Sequence, residues 1–243
     1  MQRQFCFFSR RCERSFNAIL LGFCFYTLFP TLNDNLQQQA RTIYAKVFMG
    51  NSAAQMQPGV LSDIADIVMG QSPNGESYNE KGEGMVFFQG RAEFGFRFPT
   101  VRLFTTDSKR IAEENDILMS VRAPVGDINI AHERCSIGRG LVALRSKNKH
   151  QSFLLYTMFA LCPQLNVFNA EGTVFGSINR DSLNNLPILI PEEAEIQRFE
   201  NIVAPMDTII RSNYDEMCKL EWIRNALLPK LMSGEIDVSH IEI

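Results

Sequence analysis

The sequence predicts an α+β fold: a β-rich domain with small helices, followed by a long coiled-coil-type helix. Three observations carry that prediction. Short runs of branched and apolar residues, each closed by Gly or Pro, fill the chain from 85 to 144. Apolar residues at seven-residue intervals take over after 192. The 243 residues, 45% hydrophobic and 21% charged, have an ordinary globular composition and can bury a substantial core in one or two domains.

Residues 1–30 stand apart. Arg10, Arg11 and Arg14 precede the apolar run FNAILLGFCFYTLFP, which ends at Pro30. A membrane span needs about 20 residues, and this run is shorter. A basic stretch before an apolar one resembles a secretory signal, yet no small-residue cleavage site follows. The segment reads as an atypical leader: a signal, an anchor, or a stretch outside the fold. Residues 33–48, NDNLQQQARTIYAKVF, read as a helix, with Asn33, Ala40 and Val47 on one heptad position and Leu36 and Ile43 on its partner. A polar linker then runs to Pro58-Gly59.

A new module opens at Val60 and breaks into a loop at Gly70-Gln71-Ser72-Pro73. The run 85–88 reads as a strand. After it, QGRAEFGFRF (89–98) interleaves aromatics with Arg91 and Arg97. That pattern suits a nucleic-acid face that stacks bases and presents guanidinium groups, and it equally suits an amphipathic strand. Runs 117–121 and 128–131 read as strands joined by the Ala-Pro-Val-Gly turn at 123–126, with Arg122 beside it. A further strand, 141–144, follows Gly138 and Gly140. Residues 152–161 predict a buried helix ending near Pro163. Next comes a glycine-punctuated polar loop, 168–179, containing Thr173 and Asn179, and then an apolar strand, 183–191.

From Glu192, Ile196, Val203, Ile210, Met217 and Arg224 recur every seven residues, with Phe199, Met206, Asn213, Leu220 and Leu227 at the second position. A helix to 228 spans roughly 55 Å at about 1.5 Å per residue. Pro205 predicts a kink or restart, and Pro229 and Gly234 its end. The stripe predicts an interhelical seam through Ile196, Val203, Ile210, Met217 and Leu220.

Charge is divided unevenly. Residues 85–150 hold 11 Lys/Arg against 7 Asp/Glu, whereas 192–243 hold 5 against 11, within a net charge of −3. The middle can meet a polyanion, and the tail can meet protein or solvent. Six scattered cysteines without a C-x-x-C pair indicate neither a zinc site nor a disulfide framework, and fit a reducing cytoplasm. No nucleophile–base, metal or phosphate-loop spacing suggests an enzyme.

The quoted residues together resemble the specificity subunit of type I restriction–modification systems. The pieces are GQSP at 70–73, ILMSVRAPVGDINIA and CSIGRGLVAL within 117–144, GTVFGSI with PILIP within 172–191, and the helix ending LLPKLMSGEIDV at 227–238. The resemblance implies a half subunit or truncated form. Its parts would be a remnant of a conserved spacer helix (31–50), a DNA target-recognition domain (56–191), a conserved spacer and dimerisation helix (192–232) and a tail (233–243). Full-length members carry two recognition domains separated by two antiparallel helices.

The resemblance further implies that this chain is not catalytic. It would read one half of a split site in double-stranded DNA and dock methyltransferase (modification) subunits. It would meet the restriction subunit through the complex, and could pair with a second copy through its helix. No cofactor is expected in this chain, since S-adenosylmethionine, ATP and magnesium would serve the partner subunits. Gln71, Ser72, Arg91, Arg97, Arg122, Thr173 and Asn179 are the candidate DNA contacts. A protein-binding adaptor without a DNA role, or a non-functional truncated subunit, remains the alternative.

Overall fold

A computed structural model describes residues 28–50, 56–170 and 176–236. Most of the leader expected over 1–30, and Thr173, lie outside the described residues. The chain divides into two compact units. The larger comprises residues 41–204; the described residues of the smaller are 28–40 and 205–236. Helix α1, residues 28–48, and helix α6, Glu193–Ser233, contribute to both.

The larger unit contains two main sheets. In the first, the order is β2 (Ala65–Met69), β10 (Leu141–Ser146), β7 (Ile117–Ser120), β8 (Ile128–Ile130), with every pairing antiparallel. In the second, the order is β3 (Tyr78–Asn79), β5 (Leu103–Thr105), β4 (Met85–Phe88), β9 (Cys135–Ile137), β6 (Ile111–Ala112), and only β4 with β9 is parallel. A separate pair joins β1 (Gln57–Val60) to β11 (Pro187–Ile190).

One core cluster draws on both sheets. Val86, Phe88, Cys135 and Ile137 come from one, and Leu118, Leu141 and Ala143 from the other. Side chains alternate across a strand, so Ile117, Met119, Val142 and Leu144 face the other way. They are buried too, on the side where helix α3 (Gln151–Leu165) contacts β10. Burial on both faces explains why these strands read as continuous apolar runs.

Helix α3 has His150 at its N-cap without a side-chain cap. Its free N–H groups are met instead by the Glu200 carboxylate of α6, which accepts from Ser152 N (3.1 Å) and Phe153 N (3.0 Å). Below, Phe199 of α6 meets Tyr44 edge-on at 5.7 Å and Phe48 at 5.3 Å. Phe153 and Tyr156 complete this aromatic cluster, and the Tyr44 hydroxyl donates to Thr157 Oγ1 at 3.0 Å. In the smaller unit, Asn213 Nδ2 donates to Oδ1 of buried Asn33 at 2.7 Å. A half-buried asparagine pair of this kind favours one register of two helices.

Several expectations change. α6 runs unbroken for 41 residues through Pro205 and Pro229. Pro205 removes the donor to the carbonyl of residue 201, but both residues are exposed, so water can satisfy that carbonyl. Helix α3 likewise passes through Pro163. The buried line of α1 is Asn33, Gln37, Ala40, Tyr44 and Phe48, with Leu36, Ile43 and Val47 at its margin. The stretch 183–191 begins not as strand but as the end of a short helix, α5 (Arg180–Asn184), before β11.

Candidate nucleic-acid interface

The parallel strands β4 and β9 end side by side, with Phe88 paired to Ile137. The segments leaving them, Gln89-Gly90 and Gly138-Arg139-Gly140, stay together: Gly138 N donates to Phe88 O at 2.8 Å. The 70–73 loop joins them through Gly70 N to Leu141 O (2.9 Å) and Gln71 N to Ile137 O (3.0 Å). Arg139 N donates to Ser72 Oγ at 3.3 Å. Only glycine fits here, because a Cβ at 70 would lie 2.2 Å from the Gly138 carbonyl oxygen.

The 121–127 turn docks on the same cluster. Val121 N donates to Gly140 O at 3.0 Å. Ser120 staples the turn: its hydroxyl donates to Pro124 O (2.7 Å) and accepts from Asp127 N (3.0 Å). The Ala123–Pro124 peptide is cis, and Gly126 has φ +99°. The 176–179 segment is held by Ala123 N to Gly176 O (2.9 Å), Ile178 N to Val121 O (3.1 Å) and a bridge between Arg122 and Ser177. An ion pair of Arg91 with Asp127 ties in the segment after β4.

The structure thus brings Gln71, Ser72, Arg91, Arg122 and Asn179 into one cluster of loops. Gln71 and Arg122 are exposed, and their side chains have no hydrogen-bond or ion-pair partner among the described residues. Ser72 is half-buried and spends its oxygen on Arg139 N. Asn179 caps α5, its Oδ1 accepting from Ser182 N at 2.8 Å.

Arg97 is a correction. It is 3% exposed, its guanidinium lies 5.9 Å from the Tyr156 ring centroid, and its carbonyl accepts from Ile130 N. The aromatic-and-arginine stretch folds as a tight turn closed by a Phe94–Pro99 bridge, so its second arginine stacks inside the unit. Gln89 and Arg139 are also exposed in this cluster. In the sequence each is a long polar residue beside glycine, just after an apolar strand.

Three other arginines of this unit are committed elsewhere: Arg102 to Glu93 (3.0 Å), Arg134 to Glu113 (3.2 Å) and Arg145 to Asp116 (2.7 Å). The hydrogen bond to Asp116 raises the Arg145 pKa further. Burial pushes the Cys135 thiol up to about 12, so it is no ready nucleophile. Among the described residues, no group of His, Cys, Asp and Glu is placed to hold a metal ion. No helix among them is long and apolar enough to cross a membrane.

Of the predicted seam residues, Ile196, Val203 and Ile210 are buried, while Met217 and Leu220 are half-buried. Further along α6, Trp222 (72% exposed), Leu227, Leu228, Leu231 and Met232 (80% exposed) present apolar surface to solvent.

A β scaffold with long polar side chains on fixed loops, together with a long amphipathic helix, has the makings of a recognition module. The family model for the type I restriction modification DNA specificity domain matches residues 55–216. Over 173 residues the chain is 35% identical to the MjaX type I restriction enzyme specificity subunit of Methanocaldococcus jannaschii, covering 71% of this chain and 41% of that protein. The crystal structure of the HsdS subunit from Thermoanaerobacter tengcongensis aligns with a TM-score of 0.57 and 30% identity, over 93% of this chain and 58% of that one. The type I restriction–modification S subunit from M. genitalium shares the fold, with a TM-score of 0.54 at 18% identity, over 92% of this chain and 58% of that one. The chain belongs to the type I restriction–modification specificity family. It spans about two fifths of the curated relative and under three fifths of the solved ones.

Proposed function

We propose that this chain reads one half of a split duplex site through its loop cluster and docks a modification subunit through α6. The observation that carries this is the cluster itself: mutual backbone hydrogen bonds fix the loops while Gln71 and Arg122 remain exposed. Fixed loops let side chains meet base edges in a defined register. Arg91 and Ser72 belong to the same cluster, and Thr173, which lies outside the described residues, stays in the proposed contact set. The exposed apolar residues near the end of α6 support helix docking, since such patches mark interaction surfaces. The restriction subunit would join through the assembled complex. S-adenosylmethionine, ATP and magnesium would belong to the partner subunits. Pairing of two copies through α6 would bring two half-sites under one assembly.

Net charge −3 gives weak phosphate attraction. Tight DNA binding is therefore expected only with the modification subunit present. The test is co-purification with that subunit and mapping of methylated sites, then gel shifts on the mapped duplex with and without it. Specific binding by the complex alone is the expected result. Tight specific binding by the isolated chain contradicts the charge argument, and failure to co-purify favours an adaptor or a defective subunit.

A further inference from the structure

Gln89 and Arg139 emerge from the adjoining ends of the parallel strands β4 and β9, and their backbones lie against each other. A Cβ at 138 would sit 2.9 Å from Gln89 Cα, and one at 140 would sit 2.8 Å from Gln89 O. Glycine at both positions permits this approach and leaves Arg139 between two close contacts. Arg139 N is held by Ser72 Oγ, Gly138 N by Phe88 O, and Gly140 O by Val121 N. The side chains are the opposite. Both are exposed, with no hydrogen-bond or ion-pair partner among the described residues.

The β7–β10 ladder pairs Leu141 with Ser120, and Val121 N donates to Gly140 O beyond it. Arg139 lies in the turn that Leu141 N closes on Gly138 O at 3.0 Å, and Arg122 bridges to Ser177. Both arginines are exposed.

Resting on the DNA-reading function above, we propose that Arg139 and Gln89 are specificity-determining residues that read base edges in the major groove. The Arg139 guanidinium presents two parallel donors, which match O6 and N7 of guanine. The Gln89 amide presents a donor and an acceptor, which match N7 and N6 of adenine. A backbone fixed beneath a free side chain lowers the ordering cost of each contact and holds it on one base pair. Arg122 and Arg91 then lie where phosphates flank the read bases.

The experiment uses the full chain with its modification subunit and a pool of randomised duplex DNA, and sequences the bound fraction. Wild type should select a defined motif. Both R139A and R139K should lose preference for guanine at one position, by roughly five- to a hundredfold, with other positions unchanged. Q89A should relax an adenine position close to it, and melting temperatures should stay at the wild-type value. Lysine keeps the charge and loses the fork. If Arg139 instead clamps a phosphate, R139K will behave as wild type, while R139A will weaken all sequences alike and lower the salt slope by about 1. That result overturns the proposal, as does an R139A motif identical to wild type. A wild-type complex that binds the pool with no sequence preference removes the DNA-reading function itself, and this proposal with it.

Discussion

The two ends of the β7–β10 strand pair carry opposite arrangements of charge. At one end, just past the Leu144–Ile117 pairing, Arg145 donates Nε and Nη2 to the two oxygens of Asp116, both at 2.7 Å. Asp116 is 2% exposed and also accepts from Glu113 N at 2.8 Å. At the other end, Arg122 and Arg139 face solvent with no carboxylate partner among the described residues. The same residue type closes the sheet at one end and leaves it open at the other. What differs is the neighbour: at one end a buried carboxylate that needs its cation, at the other no carboxylate among the described residues.

Under the proposed function the unit has a scaffold and a reading edge, and substitutions should separate them. The largest effect is expected in the aromatic cluster. F199A removes the ring that meets Tyr44, Phe48, Phe153 and Tyr156. Urea denaturation should show a loss of about 3–5 kcal/mol, and any folded protein that remains should keep the wild-type DNA motif. A changed motif would mean that scaffold and edge are not separable.

A smaller loss is expected from R145A, which strands a buried carboxylate. The Arg145 side chain is itself 47% exposed, so water can reach part of the gap. The cost should be about 2 kcal/mol, near the value of a hydrogen bond to a charged group. D116N/R145A should recover part of it, because the buried charge goes with its partner. Failure to recover any stability would show that the pair is not what holds this end together.

Much of the scaffold was legible in the sequence, for a plain physical reason. The runs 85–88, 117–121, 128–131 and 141–144 each overlap a strand, because strands buried on both faces are mostly apolar. The 33–48 segment was legible as a helix, although its buried line runs through Gln37, Tyr44 and Phe48 and not through the Leu36, Ile43 and Val47 of the heptad spacing. Three features were not. Pro205 reads as a helix break, yet an exposed position can lose one hydrogen bond to water. Arg97 reads as a surface cation, yet a ring inside the unit receives it. Arg139 reads as one more turn arginine; only the contacts of Gly70, Gly138 and Gly140 show that three segments far apart in sequence meet around it. Contacts of that kind leave glycines in the sequence but no record of their partners.

The measurement that tests the account most directly compares wild type with R122A/R139A, each co-expressed with the modification subunit. Melting temperature and the map of methylated sites are read on the same preparations. The account predicts stability within about 0.5 kcal/mol of wild type, as for exposed substitutions, with the methylated motif lost or relaxed. An unchanged motif at unchanged stability would contradict it, because the open end of the β7–β10 pair would then not be where this chain meets DNA.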